Sequence, residues 1–153
     1  MESELVEKVR AAIKDRALYL ALLLRSYSAV LPAQEAQRRA REAIYEFGRI
    51  KAQRDHQPFS AEMWVDGHVT KGSAAVFRSR IVKADEHCEQ QMTYCPLVVA
   101  WRELGCEPQE IDLLCDIAME VDRGRAAYHE IPLEITHRLA KGDEYCCLVL
   151  KKT

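Results

Sequence analysis

The chain has 153 residues, 48% of them apolar and 30% charged, a composition that excludes disorder and is long enough to bury roughly two-thirds of its unfolded surface. A net charge of -2 leaves no basic footprint, so a nucleic-acid partner is not expected. The most apolar stretch, Ala17 to Leu24, is flanked by Arg16 and Arg25 and falls far short of the roughly twenty apolar residues of a membrane span.

The start, Met1-Glu2-Ser3-Glu4, is acidic and has none of the basic character of a signal peptide, which predicts a soluble, cytoplasmic protein with no membrane partner. In a reducing compartment the six cysteines, Cys88, Cys95, Cys106, Cys115, Cys146 and Cys147, are expected to be thiols. None precedes position 88, so any thiol chemistry belongs to the second half.

Leu5, Val6, Val9, Ala12, Ile13, Leu18, Leu20 and Leu23 recur at helical spacing and predict a first helix over about 3–26. Leu18, Leu20, Leu22, Leu23 and Leu24 nearly encircle its axis, more than a one-sided surface helix requires, which predicts a homo-oligomer. After Pro32, Ala36, Ala40, Ala43, Ile44 and Phe47 form the stripe of a second helix running to about Asp55. Residues 59–73 carry no clear period, and Asp66-Gly67 and Lys71-Gly72 read as turns.

Val76 to Val82 and His87 to Tyr94 have strand character and form an expected hairpin across the polar Lys83 to Glu86. Pro96 suits a first helical turn, with Leu97, Val98, Trp101 and Leu104 leading to a stop at Gly105. Pro108 opens another helix, with Ile111, Leu114, Cys115, Ala118 and Met119 on one face, expected to end near Gly124, and Val121 to Pro132 reads as a linker. Leu133 to Leu139 and Tyr145 to Leu150 flank Lys141-Gly142-Asp143 as a second hairpin. Two long N-terminal helices, then antiparallel hairpins with two intervening helices, make one α+β domain over 1–153, since alternating βαβ units are absent.

Three segments in order, Tyr94-Cys95-Pro96 running into Trp101-Arg102-Glu103-Leu104-Gly105, then Leu114-Cys115-Asp116, then Leu139-Ala140-Lys141-Gly142-Asp143-Glu144-Tyr145-Cys146, resemble the C-terminal signature of the L-2-amino-thiazoline-4-carboxylic acid hydrolase family. Asp15-Arg16-Ala17 and the helix from Ala40 to Gly48 are similar too. The resemblance implies a hydrolase that opens a small cyclic amidine or thiazoline at a C–N or C–S bond, in the family's named case to a carbamoyl cysteine. Asp122-Arg123-Gly124-Arg125, Tyr128-His129-Glu130 and the doubled Cys146-Cys147 depart from the pattern and bear on the substrate. The Cys-Pro helix, second Cys and Gly-x-x-x-Cys hairpin also resemble 4-vinyl-reductase-like domains, which bind small ligands without turnover. A structural subunit of a larger assembly is the third reading.

Hydrolysis of an amidine needs a nucleophile or activated water, a proton donor for the leaving atom, and an anchor for the substrate carboxylate. Cys115 is a candidate nucleophile or a packed thiol, since free cysteine serves readily as a small hydrophobe. Asp116 and Glu120, at i and i+4, are neighbours that fit an acid and base pair or a solvated face. Cys95, immediately before Pro96, stands where helix N-terminal amides lower a thiol pKa, or plugs the corner as packing. Cys146 and Cys147 alternate sides of a strand, so one is expected inward and the other outward; analogy with the family makes Cys146 the inward, catalytic candidate.

Arg78 and Arg80, two residues apart in the first strand, are candidate clamps for a substrate carboxylate or a solvated strand face. Trp101 is the candidate apolar contact for substrate, and with Met119 it would enclose the pocket of a non-catalytic binder. The wide spacing of Cys95, Cys106, Cys115 and Cys146 lacks the close pairs of a zinc site, so no metal or other cofactor is expected, although His87, His129 or His137 could converge with them in space. No phosphate loop, Gly-x-Ser-x-Gly elbow or His-Glu-x-x-His helix is present.

Overall fold

Ser3 Oγ accepts a hydrogen bond from the Val6 amide at 3.2 Å, and this cap starts α1 (Glu4–Ser28) in a computed structural model that describes residues 2–153. α2 (Ala33–Ala52) turns back after Pro32. The small Ala17 and Ala21, wholly buried, let α1 lie close to α5 (Pro96–Glu103), where the Trp101 indole donates to the Ala17 carbonyl at 2.9 Å. α6 (Pro108–Ala118) completes this helical core with Leu114 and Ile117. No helix among the described residues is long and apolar enough to cross a membrane.

Residues 61–70, which show no clear period, form α3 (Ala61–Thr70), started by Ser60 Oγ accepting from the Met63 amide at 3.2 Å. Gly67 lies inside this helix, and only Gly72, at φ 86°, makes a turn that needs glycine. The short α4 (Ser73–Val76) then takes Val76 out of the expected hairpin, and Arg78, at φ 47°, breaks the chain before the strand starts.

β1 (Ser79–Lys83) and β2 (His87–Met92) pair antiparallel, from Ser79 opposite Met92 to Lys83 opposite Cys88. β3 (Leu133–His137) and β4 (Cys146–Lys151) form the second hairpin through a single 3-10 turn at Leu139–Lys141. The order is β1-β2-β4-β3, with Met92 opposite Cys146. Both middle strands are therefore flanked on each side. That explains one correction: Cys147, expected outward, is only 2% exposed, because the neighbouring residues at Gln91 and His137 flank it. Cys146 and Cys147 are both buried.

The segment from 108 does not continue as one helix to Gly124, and no linker follows Val121. It bends at Met119 and resumes as α7 (Glu120–Tyr128). Gly124 is no stop: α7 crosses α2 there, with Gly48 facing it, so closely that a Cβ on Gly124 would be driven into the Tyr45 carbonyl and one on Gly48 into the Val121 carbonyl. This glycine crossing ties together the two helices that carry Lys51, Asp122 and Arg125.

Candidate active site

A cavity of about 700 Å³ lies between the helices and the sheet. Cys95, at the hairpin-to-helix corner, Cys115, in the middle of α6, and Cys146, at the start of β4, all reach it. Three segments far apart in sequence thus bring their sulfurs to one space, and all six cysteines of the chain are free thiols.

These thiols are held protonated. Burial pushes Cys95 up to about 12, against the pull of the Val98 and Leu97 amides at the start of α5. The amide effect read from Cys95-Pro96 is present, but desolvation outweighs it. Burial likewise pushes Cys146 up to about 11, although the Leu139 amide donates to its sulfur at 3.2 Å. Cys115 is raised by burial and drawn back by Arg138, whose guanidinium pairs with Asp112 at 2.7 Å.

The other end of the cavity is charged. Lys51 follows Ile44 and Phe47 on the apolar face of α2, and Asp122 and Arg125 come from α7. Protein closes around both Lys51 and Asp122, and each keeps part of its surface on the cavity. Burial raises the Asp122 pKa while Lys51, Arg125, Arg123 and Arg16 oppose it. Burial lowers that of Lys51, and Asp122 opposes the shift. Among the described residues neither forms an ion pair within 4.0 Å. Lys51 and Asp122 thus face one cavity as half-buried groups of opposite formal charge, neither tied to an ion-pair partner among the described residues.

Arg125 is fixed. Asp55 accepts from it at 2.8 and 2.7 Å and from His129 at 2.9 Å, and the guanidinium lies 4.3 Å from the Trp64 ring centre. Burial resists ionisation of Asp55, but Arg125 and His129 hold its carboxyl below the usual range. The pair is structural: it locks α7 to the end of α2.

His68 on α3 also lines the cavity, with Nε2 2.8 Å from Ser79 Oγ. Burial, with Arg125 nearby, pushes its pKa down to about 4. The imidazole is neutral throughout the physiological range. Unfolded, it binds a proton below about 6.5, so stability falls as pH drops through that value and the loss is complete near 4. His68→Gln is expected to remove this part of the acid sensitivity, so its melting temperature should decline less than that of the wild type between pH 7 and 4. Parallel decline of the two would mean that His68 is not desolvated.

The remaining candidates lie outside the cavity. Asp116 and Glu120 are indeed neighbours, but they share Arg123, at 2.8 and 2.5 Å, and Arg41 reaches Asp116 at 2.6 Å. Burial opposes ionisation of Asp116, and the two arginines hold it below its ordinary value. Arg78 is not in the strand: it pairs with Glu2 at 2.9 Å and stacks on Tyr94. Arg80 donates to Gln91 at 3.0 Å. Trp101 is sealed between α1 and α5. Among the described residues no three His, Cys, Asp or Glu side chains gather as a metal-holding group.

Lys51, Asp122, Arg125 and His68 escaped the sequence reading. For Lys51 the signal was a cation continuing the apolar stripe of α2 at steps of three and four residues. Asp122 and Arg125 lay in a segment read as a linker, so no helical face was assigned to them.

The family model described as L-2-amino-thiazoline-4-carboxylic acid hydrolase matches residues 10–149. No curated protein matches the chain.

Proposed function

From the premise that the chain belongs to the L-2-amino-thiazoline-4-carboxylic acid hydrolase family, we propose that it hydrolyses a cyclic amidine of the thiazoline type in the cavity bounded by Asp122, Lys51 and the three thiols. One observation carries this reading: Asp122 is a desolvated carboxyl group without an ion-pair partner among the described residues, open to a cavity that also receives Lys51. A carboxyl of raised pKa is suited to both halves of a proton transfer near neutral pH.

Asp122 takes a proton from water as the water oxygen bonds to the amidine carbon. The C=N π pair moves onto the ring nitrogen; the ring C–S bond then breaks as the added hydroxyl becomes the carbonyl, its remaining proton goes to the ring nitrogen, and the proton held by Asp122 passes to the leaving sulfur, giving a carbamoyl group and a free thiol. Lys51 and Arg16 hold the substrate carboxylate. Asp122 takes the acid and base role in place of Asp116 and Glu120, which are occupied by Arg41 and Arg123. Cys95, Cys115 and Cys146 remain thiols that shape the cavity; the Arg138 cation favours the thiolate of Cys115 most directly, through a side-chain hydrogen bond, and acts on that of Cys146 by its charge. Water is the only co-reactant, and the cytoplasm is the compartment proposed.

The test is release of free thiol from 2-amino-thiazoline-4-carboxylate by wild type, Asp122→Asn and Cys115→Ser. Loss of turnover in Asp122→Asn with retention in Cys115→Ser supports the assignment. The reverse pattern would make Cys115 the nucleophile and remove Asp122 from the chemistry. Protonated thiols and a largely apolar lining favour the second reading, a small-ligand binder, and tight binding without turnover in the wild type would select it.

We further propose a homo-oligomer formed through α1. Leu5, Ala12, Tyr19, Leu23 and Tyr27 form an outward apolar seam on α1 that runs on to Val30 just beyond its end, and Leu5, Tyr19 and Val30 are 71%, 72% and 80% exposed. A second copy of the chain is the occupant whose seam matches. Sedimentation is expected to give a dimer or larger species for the wild type and a monomer for Leu5→Glu with Val30→Glu; a monomeric wild type at micromolar concentration would rule it out.

A further inference from the structure

The cavity is far larger than the chemistry at its charged end requires. Its volume of about 700 Å³ falls among pockets that bury drug-sized ligands, roughly 300–1,000 Å³. It equals the space of roughly twenty waters at about 30 Å³ each. A bare thiazoline ring with one carboxylate leaves most of it unfilled.

Its charges and its apolar surface are segregated. Lys51, Asp122, Arg125 and Arg16 act electrostatically on one another. Cys95, Cys115 and Cys146 likewise act on one another. A protonated thiol behaves as a small hydrophobe, so the sulfur end joins Phe77, Met92, Leu97 and Met119 as apolar lining. Water there lacks the two to four polar partners that hold it, and an apolar group that displaces it gains affinity.

The charged end carries an excess of cations. Asp55 is committed to Arg125 and His129. Half-buried Lys51 and the solvent-exposed Arg16, Arg54 and Lys71 line the cavity without an ion pair among the described residues, against the single uncommitted carboxylate of Asp122. An anionic group on the ligand balances them.

We propose, resting on the hydrolytic reading of the same site, that the natural substrate is an amphipathic organic acid: its anionic group sits against Lys51 and Arg16, and a bulky apolar substituent lies along Phe77, Met92 and Met119. The substrate is thus a substituted heterocyclic acid rather than the bare ring.

The test is calorimetric titration of the full-length chain with butanoate, hexanoate, octanoate and decanoate, each below its micelle concentration, and with octanamide. Affinity is expected to rise with chain length, up to about fourfold per added methylene, the transfer value for burying a CH₂ group. Octanamide is expected to bind at least tenfold more weakly than octanoate. Lys51→Met should weaken octanoate about tenfold and leave octanamide unchanged. Ala118→Leu, which narrows the cavity with a modest side chain, should flatten the chain-length series without unfolding the protein.

Equal affinity from butanoate to decanoate would overturn the proposal. So would octanamide binding as tightly as octanoate. Turnover of the bare thiazoline carboxylate, measured in parallel, separates the two claims. A flat series with turnover leaves the hydrolase standing and removes the apolar substituent. A steep series with no turnover of any thiazoline keeps the ligand class and removes the hydrolytic reading.

Discussion

Gly48→Ala and Gly124→Ala are each expected to destabilise the fold by about 3 kcal/mol, lowering the melting temperature by roughly 6–12 °C in a chain of this size. Alanine would ordinarily favour a helix interior over glycine by about 1 kcal/mol. Here the added Cβ meets backbone rather than a flexible side chain: the Val121 carbonyl and, at 2.9 Å, the Arg125 nitrogen for Gly48, and the Tyr45 carbonyl for Gly124. Only separation of α2 and α7 relieves the overlap. That movement would carry Lys51 away from Asp122 and disturb the Asp55 bonds to Arg125. The two substitutions are relieved by the same displacement, so the double variant should lose less than the sum. Gly67→Ala is the matched control. Its Cβ would have only the Lys71 side chain within 4 Å, at 4.0 Å, so it should melt at or above the wild-type temperature. Thermal melts of the four variants check this, and a Gly124→Ala protein as stable as the wild type would contradict the close crossing.

Asp122→Asn is expected to abolish most turnover, by a factor of at least about 100 if the side chain transfers the proton, while making the folded protein more stable at neutral pH. The sign follows from the direction of the shift. Burial raises the folded-state pKa of Asp122 above its ordinary value, so the unfolded chain releases this proton more easily. Stability is then lost as pH rises from the ordinary carboxyl value through the folded one, so at neutral pH the desolvation of this carboxyl opposes folding. Asparagine carries no charge and avoids the cost. The stability gain should shrink as pH falls towards 3.8, where the aspartic acid, like asparagine, carries no charge in the folded chain. Melts at several pH values, set beside thiol-release assays, read both effects. A variant that is less stable at pH 7 and equally active would show that the carboxylate is structural.

Much of the fold was legible because its elements announce themselves locally. α1 and α2 carry helical stripes, Pro96 and Pro108 open α5 and α6, and Gly142, at φ 96°, supplies the turn before β4. What was not legible depended mostly on partners distant in sequence. Gly124 reads as a helix stop until α2 is known to cross it, whereas Gly67 reads as a turn although the Ser60 cap that starts α3 is local. The same division holds at the site. Cys95, Cys115 and Cys146 could be singled out by residue type and setting, and they meet in one cavity. Asp116 and Glu120 were correctly spaced as neighbours, but spacing does not reveal that Arg41 and Arg123 already occupy them. Asp122 was hidden by the bend at Met119, since a residue has no helical face until its helix is recognised.

The desolvation of the cavity sulfurs determines how the protein can be addressed chemically. Alkylating agents and peroxide attack the thiolate, a form that Cys95 and Cys146 scarcely populate at neutral pH. Electrophilic warheads aimed at this chamber would find three nearby sulfurs and little nucleophile. A reversible acid that engages Lys51 is the more effective handle, and the sulfurs would withstand an oxidative burst that modifies exposed, ionised cysteines elsewhere.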